Sequence, residues 1–282
     1  MTHIEHDFDS PVWRHWLREL TRNHTLARFD IRGSGLSDRD VNGQTLEAWV
    51  HDVEAVVDSL GWRRFPMLGV CQGAAIAVLY AVRHPERVTH LVLYNAYAHG
   101  AFAEGMTGYR LEEAETLARM IEVGWARSTG AFREVFARLL SPSDAADQIS
   151  WCDELQRLTA DRSMAARLWR GFHEIDIRDL LPQVSCPTLA AHVKGDSMVP
   201  FEAGRDLAGR IPRCRFLPLE GRNHILQPRD TGWRTFIEEV RRFLADVPRE
   251  GVPAVADISA KLAVSTRPEL VIEARDAGFG MD

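Results

Sequence analysis

The sequence predicts an α/β fold, in which a mostly parallel sheet has flanking helices and an inserted helical cap. Short apolar strands alternate with helical patterns over about 25–94 and again over 187–245, and such alternation is typical of a parallel sheet covered by helices. Between about 101 and 178 the helical pattern continues without strands, which predicts a cap inserted between two strands. With 282 residues, 45% of them apolar, the chain is long enough to bury one large core.

Five elements are predicted in the first quarter of the chain. The pattern of 11–20 indicates a helix, and 25–30 is a short strand that leads into a loop of glycines and serines at 31–37. Apolar residues at helical spacing predict a helix over 46–60, and the apolar run 65–70 predicts the next strand. These elements begin the alternation on which the fold prediction depends.

The later elements continue this alternation. A helix rich in small residues is predicted at 74–84 and stops before Pro85, because the residue before a proline disfavours helical backbone. The other predicted strands cover 88–94, 187–193 and 215–219, and the other predicted helices outside the cap cover 201–210 and 232–245.

The turn between the strand 65–70 and the helix 74–84 carries Cys71, with Gly69 and Gly73 two residues to either side. A strand, a strained turn and a helix whose first N–H groups face the turn residue form a nucleophile elbow, here with cysteine where serine is usual. We expect the two glycines to remove Cβ atoms that would collide as strand and helix close. Cys71 is the candidate nucleophile; the alternative is a small buried core residue, the commoner role of a lone cysteine.

Two loops that follow strands carry candidates for a base and an acid. Asp196 follows the strand 187–193, and His224 follows the strand 215–219; loops of this kind reach the same edge of a parallel sheet. Taken singly, Asp196 could be a turn former and His224 a surface or core histidine. Their order after Cys71 is the nucleophile, acid, histidine order of a hydrolytic triad, and it favours that interpretation.

These motifs together resemble the α/β-hydrolase family over 25 to about 245. The resemblance rests on Asp30-Ile-Arg-Gly-Ser-Gly-Leu-Ser37, the turn at Cys71, His84-Pro-Glu-Arg-Val88, Gly195-Asp196 and Gly221-Arg-Asn-His224. It implies the α/β-hydrolase fold and hydrolysis of a carboxylic ester or thioester through a covalent acyl-enzyme.

In the implied mechanism, His224 draws the proton from Cys71, and Asp196 orients the resulting imidazolium. The backbone N–H of Gln72 donates a hydrogen bond to the oxyanion. No cofactor and no metal are implied.

One departure from the family pattern concerns the early strands. Such hydrolases place three strands before the one at 25–30, and the loop after the third supplies half of the oxyanion hole. Only 24 residues precede this strand here, so we expect the early strands to be missing. Loss of one oxyanion donor costs on the order of 2.7–4 kcal/mol. An alternative function therefore stays open: a catalytically weak, hydrolase-derived module that senses a small apolar ligand.

A C-terminal appendage is predicted over 247–282, after a core and cap over 1–246. Its residues 261–279 resemble the end of a LuxR-type helix-turn-helix, and the chain resembles hydrolase-like domains joined to LuxR-type regulators or adenylate cyclases. A C-terminal helix that packs on a neighbour is favoured over autonomous DNA binding, because the tail has few basic residues to contact phosphates.

The composition of the chain limits the kinds of binding partner and the cellular compartment that we expect for it. The net charge of −6 gives no general attraction to nucleic acid or to an anionic membrane. Four widely spaced cysteines indicate neither a metal site nor a disulfide framework, and no apolar run approaches membrane-spanning length. We expect a cytoplasmic protein with a small-molecule ester or thioester as its partner, without membrane or nucleic-acid partners; a homodimer stays open.

Overall fold

The computed structural model of the chain describes residues 2–127, 130–142, 146–245 and 270–273. The strands are β1 (Leu26–Phe29), β2 (Phe65–Val70), β3 (Val88–Tyr94), β4 (Thr188–Val193), β5 (Cys214–Leu219) and β6 (Leu270–Glu273). The α-helices are α1 (Ile4–Phe8), α2 (Arg14–Thr21), α3 (Leu46–Leu60), α4 (Gly73–Arg83), α5 (Tyr109–Gly124), α6 (Ala131–Leu140), α7 (Ala146–Thr159), α8 (Arg162–Glu174), α9 (Phe201–Arg210) and α10 (Thr231–Phe243).

The main sheet is parallel, with the strand order β2-β3-β4-β5. Its register places Val70 beside Tyr94, Tyr94 beside Ala191, and Val193 beside Leu219. The carboxyl ends of all four strands therefore meet at one edge. This confirms the predicted sheet and brings the loops after β2, β4 and β5 together.

Helices cover both faces of the main sheet. Leu91 and Leu93 of β3 pack in one core cluster with residues of α3, α4 and α9. Val92 and Tyr94 face the other cluster, which contains residues of α2 and α10, because successive side chains of a strand point to opposite faces. Both clusters are mostly aliphatic and aromatic, so burial of apolar surface holds the three layers together.

The predicted boundaries of most elements are confirmed. Those of α3, β2, β3 and α9 agree with the prediction at both ends, and those of α4, β4, β5 and α10 differ by one or two residues. Within the described ranges, no helix combines the length and the apolar character that a bilayer-spanning segment needs.

The four helices α5 to α8 form the predicted cap between β3 and β4. Both ends of the cap leave the sheet through a short two-stranded neck, in which the Gly100 N–H donates to Ile175 O at 2.7 Å and the Phe102 N–H donates to His173 O at 2.8 Å. A Cβ on Gly100 would lie 2.2 Å from the His173 carbonyl oxygen, so the neck can close only on glycine.

The strand β1 does not join the main sheet. It pairs antiparallel with β6, Leu26 opposite Glu273, and β2 is left as an edge of the main sheet among the described strands. Between them lies a largely apolar cavity of about 350 Å³, whose lining includes Trp13, Phe29 and Met67. The strand predicted at 25–30 is therefore present, but it lies outside the main sheet.

The predicted helix-turn-helix end over 261–279 is wrong for the residues described there. Leu270–Glu273 form the strand β6, and the β-branched pair Val271 and Ile272 favours a strand over a helix. The rest of the appendage predicted at 247–282 lies outside the described residues.

Candidate active site

Cys71 occupies the turn between β2 and α4 in a left-handed backbone conformation, with φ of 53°. A residue other than glycine is strained there, and such strain is typical of functional turns. The Cys71 N–H donates to Tyr94 O at 2.9 Å, which fixes the turn to the neighbouring strand. A Cβ on Gly69 would lie 2.5 Å from the Cα of Ala74. The turn therefore has the geometry of a nucleophile elbow, and Gly69 is required for it.

The expectation that Gly73 also avoids a collision is wrong. A Cβ built on Gly73 meets no atom within 4 Å, because the close approach of strand and helix falls between Gly69 and Ala74. The elbow thus depends on one glycine for its packing.

Gln72 is the N-cap residue of α4, with φ of −59° and ψ of −27°. Helix N-termini carry unsatisfied N–H groups and a partial positive charge. The Gln72 N–H belongs to this group and directly follows Cys71, so it is suited to donate to an anion that forms beside the thiol.

Asp196 and His224 meet at the carboxyl edge of the sheet, as the sequence predicts. Asp196 Oδ2 lies 2.7 Å from His224 Nδ1, while its Oδ1 accepts from the Met198 N–H at 2.8 Å and the Val199 N–H at 3.2 Å. The carboxylate is thus fixed through one oxygen by its own loop and presents the other to the imidazole. Both side chains are buried.

The pKa of His224 is raised to about 10. Burial opposes this by disfavouring the charged ring, but the charges of Asp196 and Cys71 and hydrogen bonds to both of them outweigh it. Contacts with Asp196 and Cys71 on its two sides thus favour the charged form of the His224 ring. The structure brings Cys71, His224 and Asp196 into one connected group.

Asn95 is a site residue that the sequence reasoning missed. It follows β3 with φ of 47°, donates through Nδ2 to the carbonyl oxygen of His224 at 2.7 Å, and accepts the Val193 N–H through Oδ1 at 2.8 Å. The available signal was an asparagine directly after a buried strand, since Asn tolerates the left-handed region better than most residues.

The loop that carries His224 is also held by hydrogen bonds to the cap and to α2. The His224 N–H donates to the carbonyl oxygen of Leu140 at the end of α6 in the cap, at 2.7 Å. Leu226 O accepts from His15 Nε2 at 2.8 Å and from Trp16 Nε1 at 2.9 Å. The cap and α2 therefore both take part in positioning the His224 loop.

The other candidate histidines lie outside the triad, as expected. His84, at the C-terminal end of α4, contacts Glu54 of α3 at 2.8 Å. His192 donates from Nε2 to Val199 O at 3.0 Å and lies 3.9 Å from Asp196. His173 belongs to the cap, where burial and then the charge of Arg110 lower its pKa to about 4.

The cap closes over Cys71 and leaves a small cavity of about 70 Å³, which the thiol and Gln72 line together with residues of the neck and the cap. Within the described part of the chain, no three His, Cys, Asp or Glu side chains group in a way that could hold a metal ion. The chemistry available at the site is that of a thiol, an imidazole and a carboxylate.

Comparison with known proteins agrees with this geometry. The family model described as alpha/beta hydrolase fold matches residues 7–230. The chain is 28% identical over 254 residues to "Putative carbamate hydrolase RutD" of Variovorax paradoxus, which covers 83% of this chain and 86% of that protein. It is 25% identical over 225 residues to the AB hydrolase superfamily protein YisY of Bacillus subtilis, with 76% and 80% covered.

Solved structures share the fold at lower identity. A hydrolase from Oleispira antarctica aligns with a TM-score of 0.69 at 22% identity and covers 82% of this chain and 87% of its own. An esterase from Exiguobacterium antarcticum aligns with a TM-score of 0.66 at 23% identity, with 77% and 80% covered. The match to the family model, which spans more than half of the chain, and the elbow at the end of β2 lead to one conclusion: the chain belongs to the α/β-hydrolase family.

Proposed function

We propose that this hydrolase cleaves a carboxylic ester or thioester through a covalent intermediate on Cys71, with His224 as acid and base and Asp196 as the group that orients it. The observation that carries the proposal is the geometry at the elbow: Cys71 has the left-handed backbone of a nucleophile elbow, and His224, whose Nδ1 lies 2.7 Å from Asp196 Oδ2, is hydrogen-bonded to the Cys71 side chain. An imidazolium stabilises a thiolate beside it, and the thiolate is the nucleophilic form of cysteine.

In the first half of the reaction, the Cys71 thiolate attacks the carbonyl carbon and a C–S bond forms. The negative charge moves to the carbonyl oxygen, where the Gln72 N–H donates to it. The intermediate collapses as the bond to the leaving alcohol or thiol breaks. His224 gives its proton to that group, which departs and leaves an acyl-enzyme and a neutral imidazole.

In the second half, His224 takes a proton from water as the water oxygen attacks the acyl carbon. Collapse breaks the C–S bond and releases the carboxylic acid, and the thiolate and imidazolium pair is restored. Asp196 holds the ring so that the nitrogen opposite its hydrogen bond faces the sulfur and the water. No redox step and no external cofactor enter this balance.

The test is ester hydrolysis by the parent and by a Cys71→Ala variant, with p-nitrophenyl acetate as substrate and intact-protein mass spectrometry of a quenched reaction. We expect an acetyl adduct on the parent and a loss of at least 10³-fold in rate in the variant, in the range seen when nucleophiles are removed. A variant as fast as the parent, or a parent without an adduct, contradicts the proposal. Asn42→Ala, an exposed change far from the triad in sequence, serves as the control.

A second candidate function is a ligand-sensing module with weak turnover. The observation that favours it is the apolar cavity of about 350 Å³, which reaches Gln72 and Gly73 next to the elbow. Cavities of this size and character bind small apolar molecules. Stoichiometric binding of an apolar ligand, measured by calorimetry without any release of product, supports this candidate over the first.

For the compartment we propose the reducing cytoplasm, because all four cysteines are free thiols in the structure. Fractionation of cells that express the tagged chain tests this, and recovery outside the cytoplasm contradicts it. The homodimer remains a prediction that sedimentation of the purified chain decides.

A further inference from the structure

The cavity over Cys71 is lined by residues of the cap as well as by the residues of the elbow. Cys71 and Gln72 line one part of this 70 Å³ space, and Arg110 and His173 of the cap line another. A second cavity of about 40 Å³ adjoins it, because Arg110 and His173 line both. A molecule held at the thiol is thus within reach of the two cap residues.

Arg110 is the one lining residue of the Cys71 cavity with a permanent charge, among the described residues. It lies in the first turn of α5 and forms no salt bridge with a described acidic residue. Its charge acts on the buried groups around the cavity, since it contributes to the pKa shifts of both His173 and Tyr97. Glu113 is the one acidic residue that lines either cavity among the described residues, and it lines only the second.

His173 supplies a neutral donor beside this cation. Its pKa is lowered to about 4, first by burial and then by Arg110, so the ring is neutral at pH 7. Nδ1 accepts the Ala101 N–H at 3.5 Å, which leaves the ring proton on Nε2. Trp169 and Phe102 hold the ring, with centroids 4.4 Å and 5.4 Å away.

The lining of the Cys71 cavity therefore includes the positive charge of Arg110, an exposed residue, and a neutral N–H donor, and it lacks a carboxylate among its described residues. An anion is the group that such a pair binds best, because an arginine donates charge-assisted hydrogen bonds to a carboxylate in a fork geometry. Tyr97 adds no opposing charge, since burial keeps the pKa of its hydroxyl well above the usual range.

We propose that the preferred substrate carries a carboxylate on its acyl part and that Arg110 and the Nε2–H of His173 bind this carboxylate. This inference rests on the proposed function of Cys71, and it names the substrate class as short half-esters or half-thioesters of dicarboxylic acids. The small volume of the two cavities limits the acyl chain to a few carbons.

The test compares monomethyl succinate with methyl 4-oxopentanoate, in which an acetyl group replaces the carboxylate at nearly the same size, both followed by pH-stat titration. The parent is expected to favour the anionic ester at least tenfold in kcat/KM. Arg110→Gln is expected to lower the ratio of the two kcat/KM values roughly tenfold to hundredfold, chiefly through KM for the anionic ester. Arg110→Lys restores part of the preference, because it keeps the charge and loses the fork.

Arg119→Gln is the matched control, since Arg119 is an exposed arginine of the same helix that lines neither cavity. It is expected to leave the ratio within twofold. If Arg110→Gln also leaves the ratio unchanged while both esters are hydrolysed, the carboxylate site is overturned and the proposed function stands.

Calorimetric titration with succinate separates the two proposals further, because it needs no turnover. If the parent hydrolyses neither ester and forms no acetyl adduct with p-nitrophenyl acetate, the proposed function fails. Succinate binding that Arg110→Gln weakens tenfold then still supports the carboxylate site, and a parent that does not bind succinate overturns it.

Discussion

The side-chain amide of Asn95 donates to the carbonyl oxygen of His224 at 2.7 Å, and this bond links the end of the third strand to the loop that carries the base. The same side chain accepts the N–H of Val193, the last residue of β4. Asn95 thus fixes the distance between two strand ends and the imidazole, without being a member of the triad.

We predict that Asn95→Ala lowers the free energy of unfolding by about 2–4 kcal/mol, because two buried backbone groups lose their partner. It should also lower kcat more than it changes KM, since His224 is less well held. Urea unfolding and ester kinetics measure both effects. Asn95→Gly is the control for backbone strain. Glycine tolerates the φ of 47° at this position and, like alanine, lacks the side-chain amide. A loss in Asn95→Ala below 0.5 kcal/mol would show that the amide is dispensable.

The two elbow glycines form a matched pair for a second prediction. Gly69→Ala places a Cβ 2.5 Å from the Cα of Ala74, so strand and helix must separate, and we expect destabilisation of at least roughly 2 kcal/mol. Gly73→Ala meets open space at the start of a helix, where alanine is preferred to glycine, and should be neutral or slightly stabilising. Equal effects of the two substitutions on urea unfolding contradict the assignment of the close approach to Gly69.

A third prediction concerns pH. The folded pKa of His224, about 10, lies above its ordinary value of 6.5, so the folded chain binds more protons than the unfolded chain between these values. The stability that His224 contributes is fully present below pH 6.5 and is lost as the pH rises through 10. Urea unfolding of the parent and of His224→Gln at several pH values measures this as a difference in stability that shrinks progressively between pH 6.5 and about 10.

The cause of the raised pKa of His224 can be tested separately by NMR titration of labelled imidazole rings. Because the charges of Asp196 and Cys71 raise the pKa of His224, Asp196→Asn and Cys71→Ala should each lower its titration midpoint. A midpoint that neither variant lowers contradicts the ion pair on which the proposed mechanism depends.

A fourth prediction concerns the carbonyl oxygen of Leu226, which accepts from both His15 and Trp16. Either donor alone can satisfy the carbonyl, so the double variant His15→Phe with Trp16→Phe should lose more stability than the sum of the single losses. The coupling energy is expected at about 0.5–2 kcal/mol. A double-mutant cycle by urea unfolding measures it and cancels the packing loss at Trp16; strict additivity would contradict a shared acceptor.

Local patterns predicted the elements well because these depend on short-range signals. The boundaries of β2 and α3 follow from apolar periodicity, and Cys71, Asp196 and His224 each lie in a turn or loop that follows a strand. The features that the sequence did not predict depend on packing between residues that lie far apart in the chain. Nothing local marks Asn95 or Leu140 as partners of His224, and the open space at Gly73 appears only when the path of α4 is known. The strand β6 was missed because its pairing with β1 joins residues that lie far apart in the sequence.

The hydrogen bond from the His224 N–H to the carbonyl oxygen of Leu140 joins the cap to the loop that carries the imidazole. The cap is tied to the sheet by its neck at Gly100 and Phe102, while α6 reaches back to the histidine loop. If α6 lifts away from the sheet, the bond at the His224 N–H must break or the loop must follow. A movement of α6 away from the sheet would therefore also disturb the imidazole that Asp196 contacts.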